Sequence, residues 1–493
     1  MDGRAIPRRT LLLGALAGGA LLAGCGRTGS KPDAAGAPPV GSQTAASPPR
    51  TTLSVALIGC GGHGRTLTKR LVADRRVVVS VVCDPDSQRA GSLADLVSRA
   101  DRRRPETSSH LRRALEDPGV DAVVVATPHH WHALAAIWAL QAGKHVYLEK
   151  PATHSLAEGP ALLSAWRDSD AVVQVGTQRR SHPGLQAAVG AVRDGEIGTI
   201  QHACCYSWKR RPSIGPAVRG SWPETLDPEL WFGPRPVQRP TREQFHYDWH
   251  WFTGYGNGGL GNNGVHRLDV ARWGTGLPLA PDRAFALGGR LGPEDAGQTP
   301  NTMLSVVAYG PRTVAHDLRG LPTKPDPGLD AGMLASDEVV FVGDGASIVV
   351  SRTGGRLVDD AGRVVTRYGG GDEDVDAISM HVRRFVSACL AGDRDDVAAS
   401  LAEGVAAADM CHAPSALLRA SAGTGRGPDP DAVRADVAEL CGRAMDAPAG
   451  SFLAHVEGRS DLSLTSSTGV VAVSGDLGRG EFAYRDGFAL PTA

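Results

Sequence analysis

Two short segments of this sequence combine residue types and spacings that could carry chemistry. The first is the glycine-rich stretch Gly59–Gly64, and the second is Glu149-Lys150-Pro151 further along the chain. A glycine-rich turn lets backbone amides come close to a phosphate group, and a lysine ammonium can stabilise negative charge that develops on a reacting oxygen. Together the segments predict a dinucleotide-binding site with a cation beside the nicotinamide, which is chemistry suited to oxidation and reduction.

The glycine stretch has the surroundings that a dinucleotide-binding fold requires. The apolar run Leu53–Ile58 precedes it, a helical pattern over His63–Ala73 follows, and a second apolar run, Val77–Cys83, ends at Asp84. An acid at the end of the second strand accepts a hydrogen bond from a ribose hydroxyl and repels a 2′-phosphate. The pattern therefore favours NAD, and the nearby Arg89 keeps NADP possible. A glycine turn that binds nothing is the alternative.

The glycines have separate expected roles. Gly59 permits the tight turn, Gly61 lets the backbone approach the pyrophosphate, and Gly64 allows the following helix to pack closely on the strand. The amides at the start of that helix then face the phosphate charge. Gly62 and His63 lie in the same turn, so we include them in the predicted cofactor site.

The hydrophobic pattern predicts the elements that position these groups. Apolar runs of strand length alternate with helical patterns up to about residue 180, which predicts a doubly wound parallel sheet with its active groups at the carboxyl ends of the strands. Polar turns follow three of these strands, at Thr127-Pro128, at Glu149-Lys150 and at Gly176-Thr177-Gln178-Arg179-Arg180. Such turns at neighbouring strand ends form a cleft.

The pattern changes beyond residue 180. Longer strands with polar breaks are predicted at 197–208, 301–309, 338–342 and 347–352, and helices at 183–194, 266–273, 377–391 and 397–412. We therefore predict a Rossmann domain over residues 51–180 and an α+β domain with a large, mostly antiparallel sheet over residues 181–426. Residues 427–493 form a C-terminal extension without assigned chemistry, for which we predict a helix at 432–444 and short strands at 465–474 and 481–484.

The N-terminus has features of an export signal. Residues 1–25 contain Pro7-Arg8-Arg9 and a short apolar segment, which resemble a twin-arginine signal, and end in Leu22-Ala23-Gly24-Cys25, which resembles a lipoprotein cleavage site. Residues 26–50 have the composition of a flexible linker. We expect export by the twin-arginine route and an extracytoplasmic protein anchored to the membrane only through a lipid on Cys25. A plain cleaved signal is the alternative. Because this route carries folded proteins, a tightly bound cofactor is expected.

Composition excludes several other classes of protein. The 493 residues include 52 basic and 53 acidic side chains, which gives a net charge of −1 and no basic surface for nucleic acid. The expected partner is therefore a small molecule. The eight cysteines contain no C-x-x-C pair, and the three histidines of His129-His130-Trp131-His132 cannot easily converge on one ion. We predict no metal site.

Several ordered motifs between residues 53 and 415 resemble those of the Gfo/Idh/MocA oxidoreductases, the family of glucose–fructose oxidoreductase and inositol dehydrogenase. Members that carry an export signal and a Gly-Asn-x-Gly-x-His stretch look most similar. The resemblance rests on the glycine stretch, on Glu149-Lys150-Pro151, and on two further motifs, Thr127-Pro128-x-x-Trp131-His132 and Gly261-Asn262-Asn263-Gly264-Val265-His266-x-x-Asp269.

The resemblance implies roles for particular residues. Lys150 would lie beside the nicotinamide and hydrogen-bond the hydroxyl being oxidised, and His266 would be the acid–base group. An imidazole titrates near neutral pH, and an ammonium stabilises a developing alkoxide, so this pair suits the chemistry. The full predicted cofactor site is Gly59, Gly61, Gly62, His63, Gly64, Asp84, Thr127, Pro128, His132, Glu149, Lys150 and Gln178.

One position departs from the family pattern. Many relatives have an aspartate four residues before the histidine, where this chain has Asn262, which cannot take a proton. Asn262 and Asp269 both fall near His266 on a helix. We expect Asn262 to bind a substrate hydroxyl and Asp269 to orient the imidazole. Arg179 is a further expected substrate contact. Trp251 is another, because it lies in the aromatic segment 245–252 and aromatic faces stack on sugar rings. A hydrophobic plug over the sheet is the alternative for this segment.

These observations predict an NAD(P)-dependent oxidoreductase that transfers hydride between a nicotinamide and a sugar, sugar derivative or polyol. Two alternatives stay open. One is a glycoside-cleaving enzyme that uses bound NAD transiently, through oxidation, elimination and reduction. The other is a non-catalytic sugar-binding lipoprotein of the same fold. The resemblance also implies a homo-oligomer formed through an exposed sheet face.

Overall fold

The computed structural model describes residues 51–101, 103–209, 211–292, 295–320, 339–369, 375–421 and 471–474. The predicted signal peptide (residues 1–25), the linker (residues 26–50) and most of the C-terminal extension lie outside these residues, as do the predicted helix at 432–444 and the predicted strand at 481–484. Among the described helices, none has both the length and the apolar composition that crossing a membrane requires.

The first domain is built on a six-stranded sheet in the order β3-β2-β1-β4-β5-β6, in which every pairing is parallel. This confirms the predicted doubly wound sheet. The strand order reverses between β1 and β4, and ligand crevices form at such a point. The strands are β1 (Leu53–Ile58), β2 (Val77–Cys83), β3 (Glu106–Ser108), β4 (Ala122–Val125), β5 (His145–Leu148) and β6 (Val173–Val175).

Helices cover both faces of this sheet, as its apolar strands require. In β1, Val55 and Leu57 face one core, and Ala56 and Ile58 face the other. Helix α5 was not predicted, because its second and third residues are a Gly-Pro pair that is typical of a turn, although proline is tolerated in a first helical turn. The helices are α1 (Gly62–Leu71), α2 (Ser87–Asp101), α3 (Leu111–Glu116), α4 (His132–Gln141) and α5 (Glu158–Arg167).

The second domain contains a nine-stranded sheet in the order β14-β13-β12-β11-β7-β10-β9-β8-β15. Only the pairing of β7 with β10 is parallel, which confirms the prediction of a mostly antiparallel sheet. The strands are β7 (His202–Trp208), β8 (Arg283–Gly289), β9 (Thr302–Tyr309), β10 (Arg312–Arg319), β11 (Val339–Val342), β12 (Ser347–Val350), β13 (Gly355–Val358), β14 (Val364–Tyr368) and β15 (Val471–Ser474).

Strand β15 gives part of the C-terminal extension a structural role. It overlaps the strand predicted at 465–474 and pairs antiparallel with β8 at the edge of the sheet. The helices that accompany this sheet are α6 (Pro183–Arg193), α7 (Pro228–Phe232), α8 (Phe245–Asp248), α9 (Val265–Thr275), α10 (Ala377–Ala391) and α11 (Leu401–Ser421), and a π-helical turn, Leu260–Gly264, leads directly into α9.

Helix α10 returns to the first domain. It lies in the stretch predicted to belong to the second domain, but Val382 and Phe385 are buried against Val55 and Leu67 in the core beneath β1 and α1. One face of the parallel sheet is therefore covered in part by a helix that follows strands β7 to β14 of the second domain in the sequence. The helix begins at the capping residue Asp376, whose carboxylate accepts the Ser379 amide hydrogen at 3.0 Å.

Candidate active site

A cleft of about 910 Å³ opens at the carboxyl ends of β1, β2, β4 and β5. The sequence predicted a cleft at this edge, because polar turns follow the strands there. Its opposite wall comes from residues 221–223, 230–231 and 243–250. The predicted cofactor residues that line the cleft are Gly59, Gly61, Gly62, His63, Asp84, Thr127, Pro128, His132, Glu149 and Lys150.

The glycine loop lies so close to its neighbours that side chains would not fit. A Cβ on Gly64 would lie 2.0 Å from the Gly59 carbonyl oxygen, and one on Gly59, whose φ is 96°, would lie 2.5 Å from the Ala126 carbonyl oxygen. Gly62, in contrast, has open space around it. The N-cap residue of helix α1 is Gly61, which supplies no side-chain cap, so the first amides of the helix are available to an anion.

Asp84 fastens the glycine loop to the end of β2. Its Oδ2 accepts the Cys60 amide hydrogen at 2.7 Å, and its Oδ1 accepts the Asp86 amide hydrogen at 2.9 Å. Burial raises the pKa of this carboxyl to about 6, although the two backbone hydrogen bonds act in the opposite direction. These features fit a dinucleotide: the cleft is large enough, the helix start is uncapped, the glycines admit no side chain, and a buried acid ends the second strand.

The raised pKa of Asp84 predicts pH-dependent binding of NAD. A carboxyl with a pKa of about 6 is mostly protonated at pH 5 and mostly ionised at pH 7, and the ionised form is the better acceptor for ribose hydroxyls. We expect the affinity for NAD to increase between pH 5 and pH 7. Calorimetric titration across this range measures it, and the dependence should disappear in Asp84→Ala. An equal pH dependence in that variant would assign the effect to another group.

Glu149 is held by three contacts at the end of β5. Its Oε1 lies 2.8 Å from His63 Nε2 and accepts a hydrogen bond from Gln178 Nε2 at 2.6 Å, and its Oε2 accepts the Lys150 amide hydrogen at 3.1 Å. Burial alone would raise the pKa of Glu149, but the charge of His63 and its hydrogen bond outweigh burial and lower it. The same carboxylate raises the pKa of His63.

Gln178 and His132 connect the strand-end turns. Gln178 lies behind Glu149, where it also donates to the Tyr147 hydroxyl at 3.0 Å, so it positions Glu149 and does not line the cleft. The ring nitrogens of His132 lie 2.7 Å from the Pro151 carbonyl oxygen and 3.0 Å from the Thr127 carbonyl oxygen. These contacts hold the turns after β4 and β5 at a fixed separation.

Lys150 connects the two domains at the cleft. Its Nζ donates to the backbone oxygen of Asn262 at 3.0 Å and to the Asn262 Oδ1 at 3.2 Å. Burial lowers the pKa of Lys150, and the neighbouring Glu149 partly offsets this effect. Because an ammonium has three N–H groups, one remains for a substrate oxygen. The structure therefore brings Lys150 and Asn262 together, as the predicted site requires.

His266 follows Asn262 by about one helical turn, but, unlike Asn262 and Lys150, it does not line the main cleft. Its Nδ1 is buried and has no hydrogen-bond partner among the described residues. Burial lowers the pKa of His266 well below its usual value, and the positive charges of Lys150, Arg179 and Arg267 lower it further. The imidazole is therefore neutral at physiological pH and can accept a proton or a hydrogen bond.

Asp269 does not orient this imidazole, so that prediction is wrong. Its carboxylate accepts hydrogen bonds from Arg180, with Nε at 3.0 and 2.8 Å from the two oxygens and Nη2 at 2.8 Å from Oδ1. The exposed fractions are 1% for Asp269 and 8% for Arg180. A buried guanidinium requires a counter-charge, and its planar fork matches a carboxylate better than an imidazole does. Asp269 is also too enclosed to contact a substrate.

The buried pair predicts a large effect on stability. Asp269→Ala leaves the Arg180 charge without its main counter-charge, and breaking a buried pair in this way costs about 3–5 kcal/mol of unfolding free energy. Urea denaturation of the purified protein measures this loss. Asp95→Ala is the matched control, because Asp95 pairs with Arg104 at the exposed surface and its removal should leave the midpoint unchanged. Equal midpoints in the two variants would contradict the prediction.

The predicted substrate residues Trp251 and Arg179 do not line the main cleft. Trp251 faces a smaller neighbouring cavity, whereas Trp249 and His250 line the cleft with their rings stacked at 3.7 Å. Residues Trp249–Trp251 form a 3₁₀ turn, in which successive side chains point in different directions. This turn was not predicted from the sequence, and Trp251 was therefore chosen and not Trp249. Burial and the neighbouring Arg352 lower the pKa of Arg179 to about 10.

Sequence reasoning singled out the aromatic segment 245–252, which contains Trp249, but missed Trp222 and Trp231 in the wall of the cleft. Trp222, Trp231 and Trp249 line it, yet they come from separate parts of residues 221–250 that contain little regular structure. The tryptophan-rich composition of that segment was the available signal. Among the described residues, no group of three or more histidine, cysteine, aspartate or glutamate side chains could hold a metal ion.

Comparison with known proteins confirms the predicted Rossmann fold of the first domain. Residues 53–177 match the Gfo/Idh/MocA family model, described as an oxidoreductase family with an NAD-binding Rossmann fold. The scyllo-inositol 2-dehydrogenase (NAD(+)) of Bacillus subtilis (strain 168) is 40% identical over 84 residues, which are 17% of this chain and 25% of the relative. The levoglucosan dehydrogenase of Pseudarthrobacter phenanthrenivorans is 36% identical over 94 residues, 19% of this chain and 24% of the relative.

A third relative has a different description. The glycosyl hydrolase family 109 protein of Stenotrophomonas maltophilia (strain K279a) is 32% identical over 163 residues, which are 30% of this chain and 34% of that protein. The chain thus spans less than half the length of each of these three curated relatives.

Solved structures extend the likeness of fold to the second domain. Levoglucosan dehydrogenase in complex with NADH and L-sorbose superposes with a TM-score of 0.55 at 20% identity, covering 74% of this chain and 97% of that one. The WlbA dehydrogenase from Bordetella pertussis, in complex with NADH and UDP-GlcNAcA, gives a TM-score of 0.53 at 18% identity, covering 72% and 93%. Both show the same fold class, a parallel Rossmann sheet followed by a mostly antiparallel sheet.

Proposed function

We propose that this protein, whose residues 53–177 match the NAD-binding Rossmann model of the Gfo/Idh/MocA oxidoreductases, transfers hydride between NAD and a hydroxyl or carbonyl group of a sugar, sugar derivative or polyol. The observation that carries this proposal is the position of Lys150. Its ammonium lies at the end of β5 in the dinucleotide cleft and is fastened to Asn262 of the second domain. It stands where a substrate oxygen and the nicotinamide would meet.

The residues of the chain have complementary tasks in this reaction. Bound NAD supplies the hydride acceptor. The remaining N–H of Lys150 hydrogen-bonds the substrate hydroxyl and stabilises the negative charge that develops on its oxygen. The neutral His266 accepts the hydroxyl proton, and the positive charges around it favour an anionic oxygen. Asn262 holds Lys150 in place and cannot exchange a proton, so acceptance of the hydroxyl proton falls to His266.

Sugars and polyols are the proposed substrates for two reasons. Relatives of the first domain include dehydrogenases named for inositol and for levoglucosan. In addition, Trp222, Trp231 and Trp249 contribute to the wall of the cleft that faces the strand ends, and aromatic side chains pack well against sugar rings. NAD is the proposed cofactor over NADP because Asp84 lines the cleft, although Arg89 lines it as well.

Export and lipid anchoring form a separate part of the proposal. The twin-arginine pattern at Arg8-Arg9 and the cleavage pattern that ends at Cys25 support it. We expect the protein on the outer side of the cell membrane, with its cofactor already bound. Cell fractionation tests this. Cys25→Ser should move the protein from the membrane to the soluble fraction, and replacing both arginines with lysine should keep it inside the cell. An unchanged membrane fraction in Cys25→Ser would contradict the lipid anchor.

A glycoside-cleaving reaction is the second candidate, and the match to the glycosyl hydrolase family 109 protein favours it. In that reaction NAD would oxidise the sugar, elimination would release the aglycone, and reduction would restore both sugar and cofactor. The products distinguish the two candidates, because oxidation leaves net NADH or an oxidised sugar, whereas glycoside cleavage releases free aglycone without net NADH.

One experiment tests the proposed function directly. The purified protein is denatured, any released nucleotide is identified by mass spectrometry, and the intact protein is then mixed with a panel of sugars and polyols while the nicotinamide absorbance is followed. We expect NAD or NADH to be released, and reduction of the bound cofactor by at least one sugar. Release of no nucleotide, with no uptake of added NAD, would favour a non-catalytic sugar-binding protein.

A further inference from the structure

Two histidines of the main cleft have no part in the proposed reaction. His129 begins a 3₁₀ turn, His129–Trp131, that follows β4, and His250 is the middle residue of the turn Trp249–Trp251. Both line the cleft together with Lys150, and their ring centroids lie 6.0 Å apart. The charge of Lys150 acts on both imidazoles. The three side chains therefore lie in one part of the cleft.

Hydrogen bonds fix the tautomer of each imidazole. His250 Nδ1 lies 2.6 Å from the Tyr247 backbone oxygen, and His129 Nδ1 lies 3.0 Å from Asn257 Oδ1. Because a carbonyl oxygen can only accept, Nδ1 carries the hydrogen in both rings and Nε2 carries the lone pair. The amide of Asn257 is oriented by its nitrogen, which donates to the His154 backbone oxygen at 2.9 Å.

Both imidazoles are neutral at physiological pH and have a free acceptor. Burial lowers the pKa of His250 to about 4 and that of His129 well below its usual value, and the charge of Lys150 acts in the same direction. Neither Nε2 has a hydrogen-bond partner among the described residues, and neither is one of the enclosed polar atoms that lack a partner. Each Nε2 can therefore accept a hydrogen bond from a molecule in the cleft.

Trp249 holds the two rings in place. His250 stacks on the Trp249 indole with 3.7 Å between the ring centroids, and His129 meets the same indole edge-on at 5.0 Å. Since Nδ1 of each ring is anchored as well, the Nε2 atoms are preorganised and lose little freedom when a ligand binds. A fixed acceptor also loses its hydrogen bond to water when the bound group beside it cannot donate.

This part of the cleft offers its donor and its acceptors at separate places. The ammonium of Lys150 can only donate, and the two imidazoles accept through Nε2. A reacting hydroxyl at Lys150 leaves the imidazoles to the groups on the neighbouring carbons of the same sugar. Hydroxyl groups can donate to an imidazole nitrogen, whereas ether oxygens, deoxygenated carbons and carboxylates cannot.

We propose that His250 and His129 accept hydrogen bonds from substrate hydroxyl groups beside the one that is oxidised, so that the substrate carries a free hydroxyl on a carbon next to the reacting carbon. This inference rests on the proposed function and narrows its substrate class. It excludes sugars that are deoxygenated or O-methylated at the neighbouring position, and it makes His250 and His129 residues that determine specificity.

Modified sugars test the proposal on the full-length protein with its bound nucleotide. The probes are the methyl glycosides of glucose, galactose and mannose, each with its monodeoxy derivatives and with derivatives in which fluorine replaces one hydroxyl. Loss of a hydroxyl beside the reacting carbon should lower kcat/KM about ten- to a hundredfold. Fluorine should lower it as much, because fluorine cannot donate. Titration of tryptophan fluorescence measures binding independently, since Trp249 stacks on His250.

Variants locate the effect in the two imidazoles. His250→Asn keeps a donor near the Tyr247 oxygen and lacks an acceptor at the position of Nε2, so the preference for the parent sugar over its deoxy derivative should disappear. His250→Gln can place its amide oxygen there and should restore part of the preference. His129→Gln is a second variant. His202→Asn changes a half-buried histidine of β7 outside the cleft and should keep the full preference.

The outcomes separate this inference from the function on which it rests. Reduction of bound NAD at equal rates by parent and deoxy sugars would support the oxidoreductase and overturn the acceptor pair. An equal loss for every derivative in His250→Asn, with the preference intact, would assign His250 a structural role and also overturn it, as would binding of none of the probes. Selective binding that disappears in His250→Asn, without any change in the nicotinamide absorbance, would support the acceptor pair while the proposed oxidation fails.

Discussion

Replacing Lys150 with alanine should lower kcat about a hundred- to a thousandfold and leave the bound nucleotide in place. The loss follows from removing the N–H donor that we propose for the reacting oxygen, and single donors to a developing oxyanion contribute factors of this size. The nucleotide should stay because the glycine loop and Asp84, which hold it, are at the ends of other strands. Single-turnover absorbance of the nicotinamide measures the rate.

The same preparation provides the control for this prediction. Lys69→Ala removes an exposed lysine from α1 and should keep the rate of the unmodified protein. Mass spectrometry after denaturation compares the nucleotide content of both variants. If Lys150→Ala turned over sugar at the full rate, Lys150 would have no part in the chemistry. If Lys150→Ala lost its nucleotide, the lysine would contribute to nucleotide binding and not to the chemical step.

Replacing Gly64 with alanine should abolish detectable nucleotide binding and destabilise the first domain. The new Cβ would lie 2.0 Å from the Gly59 carbonyl oxygen, and because this neighbour is backbone, the loop itself must move. Overpacking of this kind costs about 1–3 kcal/mol of unfolding free energy. The shift also moves the amides of the glycine loop, so the phosphate contacts are lost together with the close packing.

A neighbouring glycine provides a matched control for the folding effect. A Cβ on Gly62 meets nothing within 4 Å, so Gly62→Ala should leave the urea midpoint of the nucleotide-free protein unchanged or slightly higher. Comparison of the two midpoints isolates the contact between Gly64 and Gly59. A Gly64→Ala protein that retained its nucleotide and its midpoint would show that the loop adapts without loss.

Local sequence pattern predicted the first domain well, because its strands are apolar on both faces and its turns carry their own signals. Strands β1 and β2 were found with their bounds, and Asp84 was found because it directly follows β2. Strand β7 begins at His202 and not at Ile197, because Gly198 adopts a φ of 74° that interrupts an extended chain.

The second domain was harder to predict because its buried residues include many polar ones. Strand β10 contains His316 and Asp317, both almost fully buried, and neither would be assigned to a core from sequence alone. His316 Nε2 lies 2.8 Å from the Ser207 hydroxyl on β7, and Asp317 binds Arg319. The pairing of Asp269 with Arg180 is of the same kind. Partners that meet only in the folded protein leave no local pattern.

The return of α10 to the first domain has a consequence for how the protein is made. The face of the parallel sheet under β1 is covered only in part, by α1 and α2, until Val382 and Phe385 have been synthesised, after most of the second domain. During translation the nascent chain therefore exposes an incomplete dinucleotide fold, although domains generally fold as units as they emerge. Capture of NAD must accordingly be a late event in biogenesis, close to release of the chain from the ribosome.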